Sequence, residues 1–215
     1  MPQTPNSVRL VGWYGGDLTH AQAAWTSTDT DLQERIAEKP HSVESLLKML
    51  AIGSDGHPHA TPFERSLLHF NVTVDTATHI HILKHRTIAA NGESARYKEL
   101  TQDRYHIPSD WPAYEQQCLK EHLEESYRKY HEALERLEPI VGRKRAKESA
   151  RFYLPYGVQI TLDISMNFRA FVAFQGLRGG KGAQKEVRDL ADQMLLAVHD
   201  QTNDDFKFSL AAFDL

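Results

Sequence analysis

Leu68-His69-Phe70-Asn71-Val72-Thr73-Val74 alternates apolar and polar side chains without a break, and its reading decides the fold class. A period of two puts Leu68, Phe70, Val72 and Val74 on one face, as in a half-buried strand. Val158, Ile160, Leu162 and Ile164 repeat the pattern downstream, and residues 8–11 read as a shorter strand before a Gly15-Gly16 turn. Between these runs the spacing becomes helical. A short helix follows from Leu18, and residues 41–51 carry Val43, Leu46, Leu47 and Leu50 at helical steps. After Pro112, Leu119, Leu123, Tyr127, Tyr130, Leu134 and Leu137 recur every three or four residues. A second helix over 143–151 is expected to stop near Pro155. Asn167 is expected to cap a helix bearing Phe168, Phe171, Val172 and Phe174, and 183–198 forms a last long helix. Residues 76–86 are ambiguous, Asn91-Gly92 reads as a sharp turn or helix break, and 176–182 reads as a loop. Strands and helices do not alternate as βαβ units, so the expectation is α+β, with helices packed on an antiparallel sheet in a single domain over 1–215.

The chain of 215 residues has 40% hydrophobic and 25% charged residues, an ordinary globular balance. A formal charge of −4 argues against a nucleic-acid-coating role, and no apolar run approaches the length of a membrane span. Met1 to Asn6 lacks the basic start and apolar stretch of a signal peptide, so a cytoplasmic protein is expected. Cys118 is the one cysteine; it excludes an internal disulfide and is expected to pack within a helix. Twelve histidines invite a metal reading at His57-Pro58-His59 and His79-Ile80-His81, whose spacing suits two ligands on one strand face. No third and fourth ligand follows with convincing spacing, and no metal is expected. Gly176 to Gly182 resembles a phosphate loop only superficially, since Gln175 and Gly182 stand where Gly and Ser/Thr are needed.

Lys84-His85-Arg86 precedes Asn91, Glu93, Ser94 and Arg96, and clustered positive groups around a turn suit a bound anion. The basic run Arg143-Lys144-Arg145-Ala146-Lys147 reads equally well as a solvated helical turn. Arg151, entering the apolar Phe152-Tyr153-Leu154, calls for a carboxylate or phosphate partner.

These segments together resemble the flavin-dependent thymidylate synthase family. Lys84-His85-Arg86, seven residues, then Ser94-Ala95-Arg96-Tyr97 is similar to its Arg-His-Arg signature. His59-Ala60-Thr61-Pro62-Phe63-Glu64 is similar to its His-x-Ser/Thr-Pro-Phe-Glu box, and Ala150-Arg151-Phe152-Tyr153-Leu154-Pro155 to its Ala-Arg-x-x-Leu-Pro box. Asn167-Phe168-Arg169, Leu177-Arg178 and Ala183-Gln184-Lys185-Glu186 keep the spacing of the C-terminal box.

The resemblance implies that family's fold and a homotetramer with active sites built between subunits. It implies reductive C5-methylation of a uridine monophosphate, with FAD reduced by NADPH and methylenetetrahydrofolate as carbon donor. By position, Thr61, Glu64, Lys84, His85, Arg86, Asn167, Arg169 and Ala173 would hold FAD. His81, Lys84, Gly92, Glu93, Ser94, Ala95, Arg96, Arg151 and Arg178 would hold the nucleotide, with Arg178 also catalytic. Five positions depart from the pattern: Lys84 replaces Arg, His81 Gln, Gly92 Glu, Gly182 His, and Ala173 Asn or His. The chain also resembles the UMP C5-methylases of polyoxin-type nucleoside antibiotic pathways. A side-chain-free Gly92 would leave room for a ribose 2′-OH, so UMP as well as dUMP is the favoured substrate. The alternatives are a dUMP-specific thymidylate synthase and, more remotely, a nucleotide-binding flavin NADPH oxidase.

Overall fold

The computed structural model describes residues 4–26, 42–54, 56–94, 96 and 99–215. Its elements are β1 (Ser7–Tyr14), α1 (Asp17–Trp25), α2 (Ser42–Ile52), a 3-10 turn (Thr61–Glu64), β2 (Leu67–Asp75), α3 (Thr76–Ile82) and β3 (Ala89–Gly92). These are followed by α4 (Ala113–Ala150), a 3-10 turn (Arg151–Tyr153), β4 (Gln159–Met166), α5 (Phe168–Arg178), α6 (Lys185–Gln201) and α7 (Lys207–Ala212). The strands form one antiparallel sheet in the order β1-β2-β4-β3, so the α+β expectation holds. Among the described residues, no helix is long and apolar enough to cross a membrane.

Two compact units divide the chain. The first comprises Met1–Ser7, Val72–Lys84 and Ala90–Asp163; the second comprises Val8–Asn71, His85–Ala89 and Ile164–Leu215.

The first unit is organised by α4. Its stripe of Leu123, Tyr127, Tyr130 and Leu134 is fully buried, each side chain contributing about 1.5–3 kcal/mol. The helix breaks at Gly142 (φ 77°), just after Pro139, and Ala146 and Ala150 join the same core beyond the break. Two tyrosines strap the preceding loop to this helix: Tyr127 donates to the Arg104 carbonyl at 2.7 Å and Tyr130 accepts from the Leu100 N–H at 3.2 Å. The ambiguous stretch after β2 is helical because Asp75 caps it, accepting from the Thr78 N–H and hydroxyl, both at 2.8 Å. Asp75 is itself held by Asn6 at 2.6 Å. His79 and His81 therefore lie on a helix, where residues two apart point to different sides, and the shared strand face drawn from their spacing does not exist.

Asn91-Gly92 is a correction. The pair ends β3 rather than making a turn, and the Glu93 N–H continues the pairing to the Thr161 carbonyl at 2.8 Å. Cys118 is another, because it lies on the exposed side of α4.

The second unit buries Phe63, Phe168 and Phe206 around His20, and buries Phe171 and Phe174 as well, all fully inaccessible. Asn167 caps α5 as expected, accepting from the Ala170 N–H at 2.8 Å. The helix α5 runs to Arg178, so Gly176 and Leu177 are helical and the loop starts only at Gly179. The short α7 is not legible in the apolar periodicity. It is pinned by the Asp17 carboxylate, which accepts from the Phe208 and Ser209 N–H groups at 2.7 and 2.8 Å. Gly16 (φ 140°) permits that docking, since a Cβ there would sit 2.3 Å from the Asp205 carbonyl oxygen.

Candidate functional site

In the second unit, six of the expected residues lie on or against α5: Asn167, Arg169, Ala173 and Arg178, with Glu64 and His85 bonded to it. Its buried side carries Phe171 and Phe174, which leaves Arg169 and Ala173, one turn apart, exposed. Arg169 meets Glu64 of the 3-10 turn at 2.6 Å, an exposed pair that fixes geometry more than it stabilises. Thr61 opens that turn and is exposed, and Arg86 is exposed as well. The Asn167 oxygen is spent on the helix cap, so its amide nitrogen is the end left to meet a ligand.

Arg178 occupies the last turn of α5, and its Nε donates to the His85 Nε2 at 2.7 Å. The His85 ring packs on Phe174, centroids 4.8 Å apart at 52°. Burial, then the Arg178 charge, pushes the His85 pKa below the usual histidine value. The sequence placed Arg178 in a loop; the helix instead fixes its backbone.

In the first unit, Gly92 is exposed at the end of β3, outside the left-handed region, and a Cβ there would meet only Leu162 at 3.6 Å. Glu93 pairs with Arg104 at 2.9 Å and accepts from the Thr161 N–H at 3.3 Å. It is thereby an anchor of the chain that leads into Ser94. Arg96 meets Glu148 at 2.6 Å, and Arg145 reaches the other oxygen of that carboxylate at 3.4 Å. The hydrogen bond from Arg96 is the chief cause holding the Glu148 pKa below the ordinary carboxylate range. Arg151 donates from Nε to the Glu148 carbonyl at 3.1 Å. It was expected to penetrate an apolar segment, but it is exposed and its neighbour Phe152 is 82% exposed, because the 3-10 turn throws both outward. His81 is half-buried on α3, Lys84 is exposed, and Ala95 lies outside the described residues.

Arg104, Glu148 and the ring contact of Phe174 escaped the reading of the sequence. For Glu148 a signal existed: an acid three residues before Arg151 shares its helical face within a basic run. Arg104 offered none, since only the tyrosine straps bring it to Glu93.

The model of the family described as "Thymidylate synthase complementing protein" matches residues 9–202. This chain belongs to that family. It is a flavin-dependent thymidylate synthase-like enzyme. Among its relatives in the thymidylate synthase complementing protein family, the flavin-dependent thymidylate synthase of Pseudothermotoga lettingae is 28% identical over 191 residues, covering 86% of this chain and 80% of that one. That of Clostridium tetani is 26% identical over 218 residues, covering 96% and 83%. The fold is similar to that of a UMP/dUMP methylase, PolB from Streptomyces cacaoi, solved with 5-Br UMP (TM-score 0.78, 24% identity, 99% and 95% of the two chains). The same methylase with 5-Br dUMP matches equally, at TM-score 0.78 and 24% identity over 99% and 96% of the chains.

Proposed function

We propose that this chain catalyses reductive C5-methylation of a uridine monophosphate, accepting UMP as well as dUMP. Methylenetetrahydrofolate would give the carbon, and FAD, reduced by NADPH, would give the hydride. The observation that carries the reading is the hydrogen bond between Arg178 and His85, which joins the signature segment to the C-terminal box across 93 residues.

The residues on α5 fit a flavin. Arg169 and Arg86 are exposed cations suited to its diphosphate, Ala173 is small and exposed, and open space surrounds the Cβ position of Gly176. Bound there, the flavin would supply hydride chemistry that no side chain of this protein can. Thr61, Glu64, Arg86, Asn167, Arg169 and Ala173 are the residues we assign to holding it, with His85 and Lys84 from the signature segment.

Arg96 and Arg151, joined to Glu148, are assigned to the nucleotide phosphate, and Ser94 and Ala95 of the signature segment are assigned to the nucleotide with them. A guanidinium fork matches phosphate geometry, and the pairing of Arg96 with the Glu148 carboxylate at 2.6 Å supports this reading. Arg178 would stabilise the negative charge that develops on the uracil ring as C5 becomes nucleophilic. Gly92 needs no glycine for its backbone and has space for a Cβ, which supports a substrate-related reason for the missing side chain. His81 and Glu93 stay in the assignment to the nucleotide, Glu93 held in place by its ion pair with Arg104.

A homotetramer is part of the proposal. The exposure of Phe152 beside Arg151 supports a second copy covering that surface. Light scattering on the purified protein measures the assembly directly.

The deciding experiment is folate-dependent tritium release from C5-labelled UMP and dUMP by the flavin-loaded protein, run in parallel. Release from both is expected. Release from dUMP alone overturns the relaxed sugar choice, and NADPH oxidation without release from either identifies an oxidase.

A further inference from the structure

The bond between Arg178 and His85 has an unusual partner choice. An arginine Nε–H is a permanent donor, so at 2.7 Å the His85 Nε2 must be an acceptor. The imidazole is therefore neutral and carries its proton on Nδ1. A protonated His85 would point an N–H at a guanidinium, replacing a hydrogen bond by like-charge repulsion.

Two contacts hold this arrangement in place, and they come from one helix. Phe174 and Arg178 stand four residues apart on α5, on the same face. Phe174 is fully buried and packs on the His85 ring, centroids 4.8 Å apart. Arg178 then closes on the ring edge from the next turn. The ring is thus located by a rigid aromatic and in turn locates the guanidinium. Arg178, from α5, is the charged group that acts on His85, and with burial it favours the neutral form. The chain neighbours Lys84 and Arg86 are cationic too.

We propose that His85 is the positioning residue of Arg178: its neutral Nε2 fixes the direction of the guanidinium without cancelling its charge, and protonation of His85 releases it. A carboxylate in that place would orient Arg178 equally well but would offset the charge needed by a developing anion. The Nδ1–H stays available to a bound cofactor, so one ring links the flavin-holding residues to the residue that meets the uracil. This inference rests on the proposed methylation for the catalytic part, and on geometry alone for the orienting part.

The test uses flavin-loaded full-length protein with His85→Gln, His85→Ala and Arg178→Ala. Glutamine can set its Oε1 near the position of Nε2 and cannot be protonated in the working range. His85→Ala is expected to lower kcat by about 10- to 100-fold with KM changed little. His85→Gln is expected to recover most of kcat and to flatten the acidic limb of the pH–rate profile. Flavin absorbance per chain reports retention of the cofactor in every variant. NMR of the ring nitrogens is expected to show the Nδ1–H tautomer, with the His85 pKa rising in Arg178→Ala.

Equal kcat and an unchanged pH profile in all histidine variants would overturn the proposal. So would an Nε2–H tautomer, or a His85→Ala loss that saturating FAD fully restores. If no variant and not even the wild type releases tritium, the methylation reading fails, while the tautomer and the Arg178→Ala shift still decide whether His85 orients the arginine.

Discussion

The arginines assigned to the substrate are held by different chemistry in the two units, although Arg169 of the second unit also meets a carboxylate, Glu64. In the first, Arg96 and Arg104 meet carboxylates, Glu148 at 2.6 Å and Glu93 at 2.9 Å. In the second, Arg178 leans on a neutral histidine, and the buried His20 bridges Ser209 and Ser66, each at 2.8 Å. A carboxylate partner neutralises the cation and must be exchanged or shared when a phosphate arrives. A neutral imidazole sets direction and leaves the charge. The difference matches the assigned tasks: binding a charge already present in the substrate, against meeting one that appears only during reaction.

The comparison breaks most visibly at Arg178. Arg178→Ala is expected to cut kcat for nucleotide methylation by about 100- to 1000-fold with flavin content retained. Arg178→Lys is expected to rescue little, because lysine lacks the Nε–H that His85 orients. Steady-state tritium release with flavin absorbance checks both.

Acid should separate the two units next. His20 is fully buried, and burial lowers its pKa to about 4, against an ordinary value of 6.5. A group whose folded pKa is depressed in this way favours the folded state above the unfolded pKa and loses that contribution as pH falls from about 6.5 toward 4. The loss is on the order of 3 kcal/mol. Glu148, with its pKa held down by Arg96, remains ionised through the upper part of that window. Thermal melts from pH 7 to 4 should therefore fall steadily in wild type and flatten in His20→Gln. Identical pH slopes would remove the distinction.

Two smaller effects sharpen the first unit. Gly92→Glu is expected to lower kcat/KM for UMP relative to dUMP by about tenfold, the scale of one lost or clashing contact in a pocket. An unchanged ratio would mean that the sugar is chosen elsewhere. Glu148→Ala is expected to raise the nucleotide KM several-fold with kcat nearly constant, since Arg96 is half-exposed and the pair is partly screened. A fall in kcat instead would move Glu148 out of the phosphate-positioning role.

Much of this was legible in the chain. Period-two runs located β2 and β4, and the stripe Leu123, Tyr127, Tyr130, Leu134 located α4, because burial on one face imposes its own spacing. Asn167 announced its helix, and Asp75 before Thr76-Ala77-Thr78 carried the same signal for α3 although the histidines obscured it. Asn91-Gly92 misled because local turn preference is outweighed by pairing with β4, which satisfies the backbone groups over a longer stretch. Arg178 was placed one element too late because three nearby glycines weaken a helix on propensity alone, whereas Phe171, Phe174 and Gln175 bury enough to hold it.

By itself, then, the sequence determined the α+β class and the residue types available for anion and flavin binding, together with the family they resemble. These follow from periodicity and from short-range chemistry, which a linear pattern carries. Tertiary structure alone decided the partners: His85 to Arg178, Glu148 to Arg96, Arg104 to Glu93 and Asp17 to α7. Partner choice depends on which side chains the folded backbone brings within about 3 Å, and no spacing along the chain encodes a distance between residues so far apart.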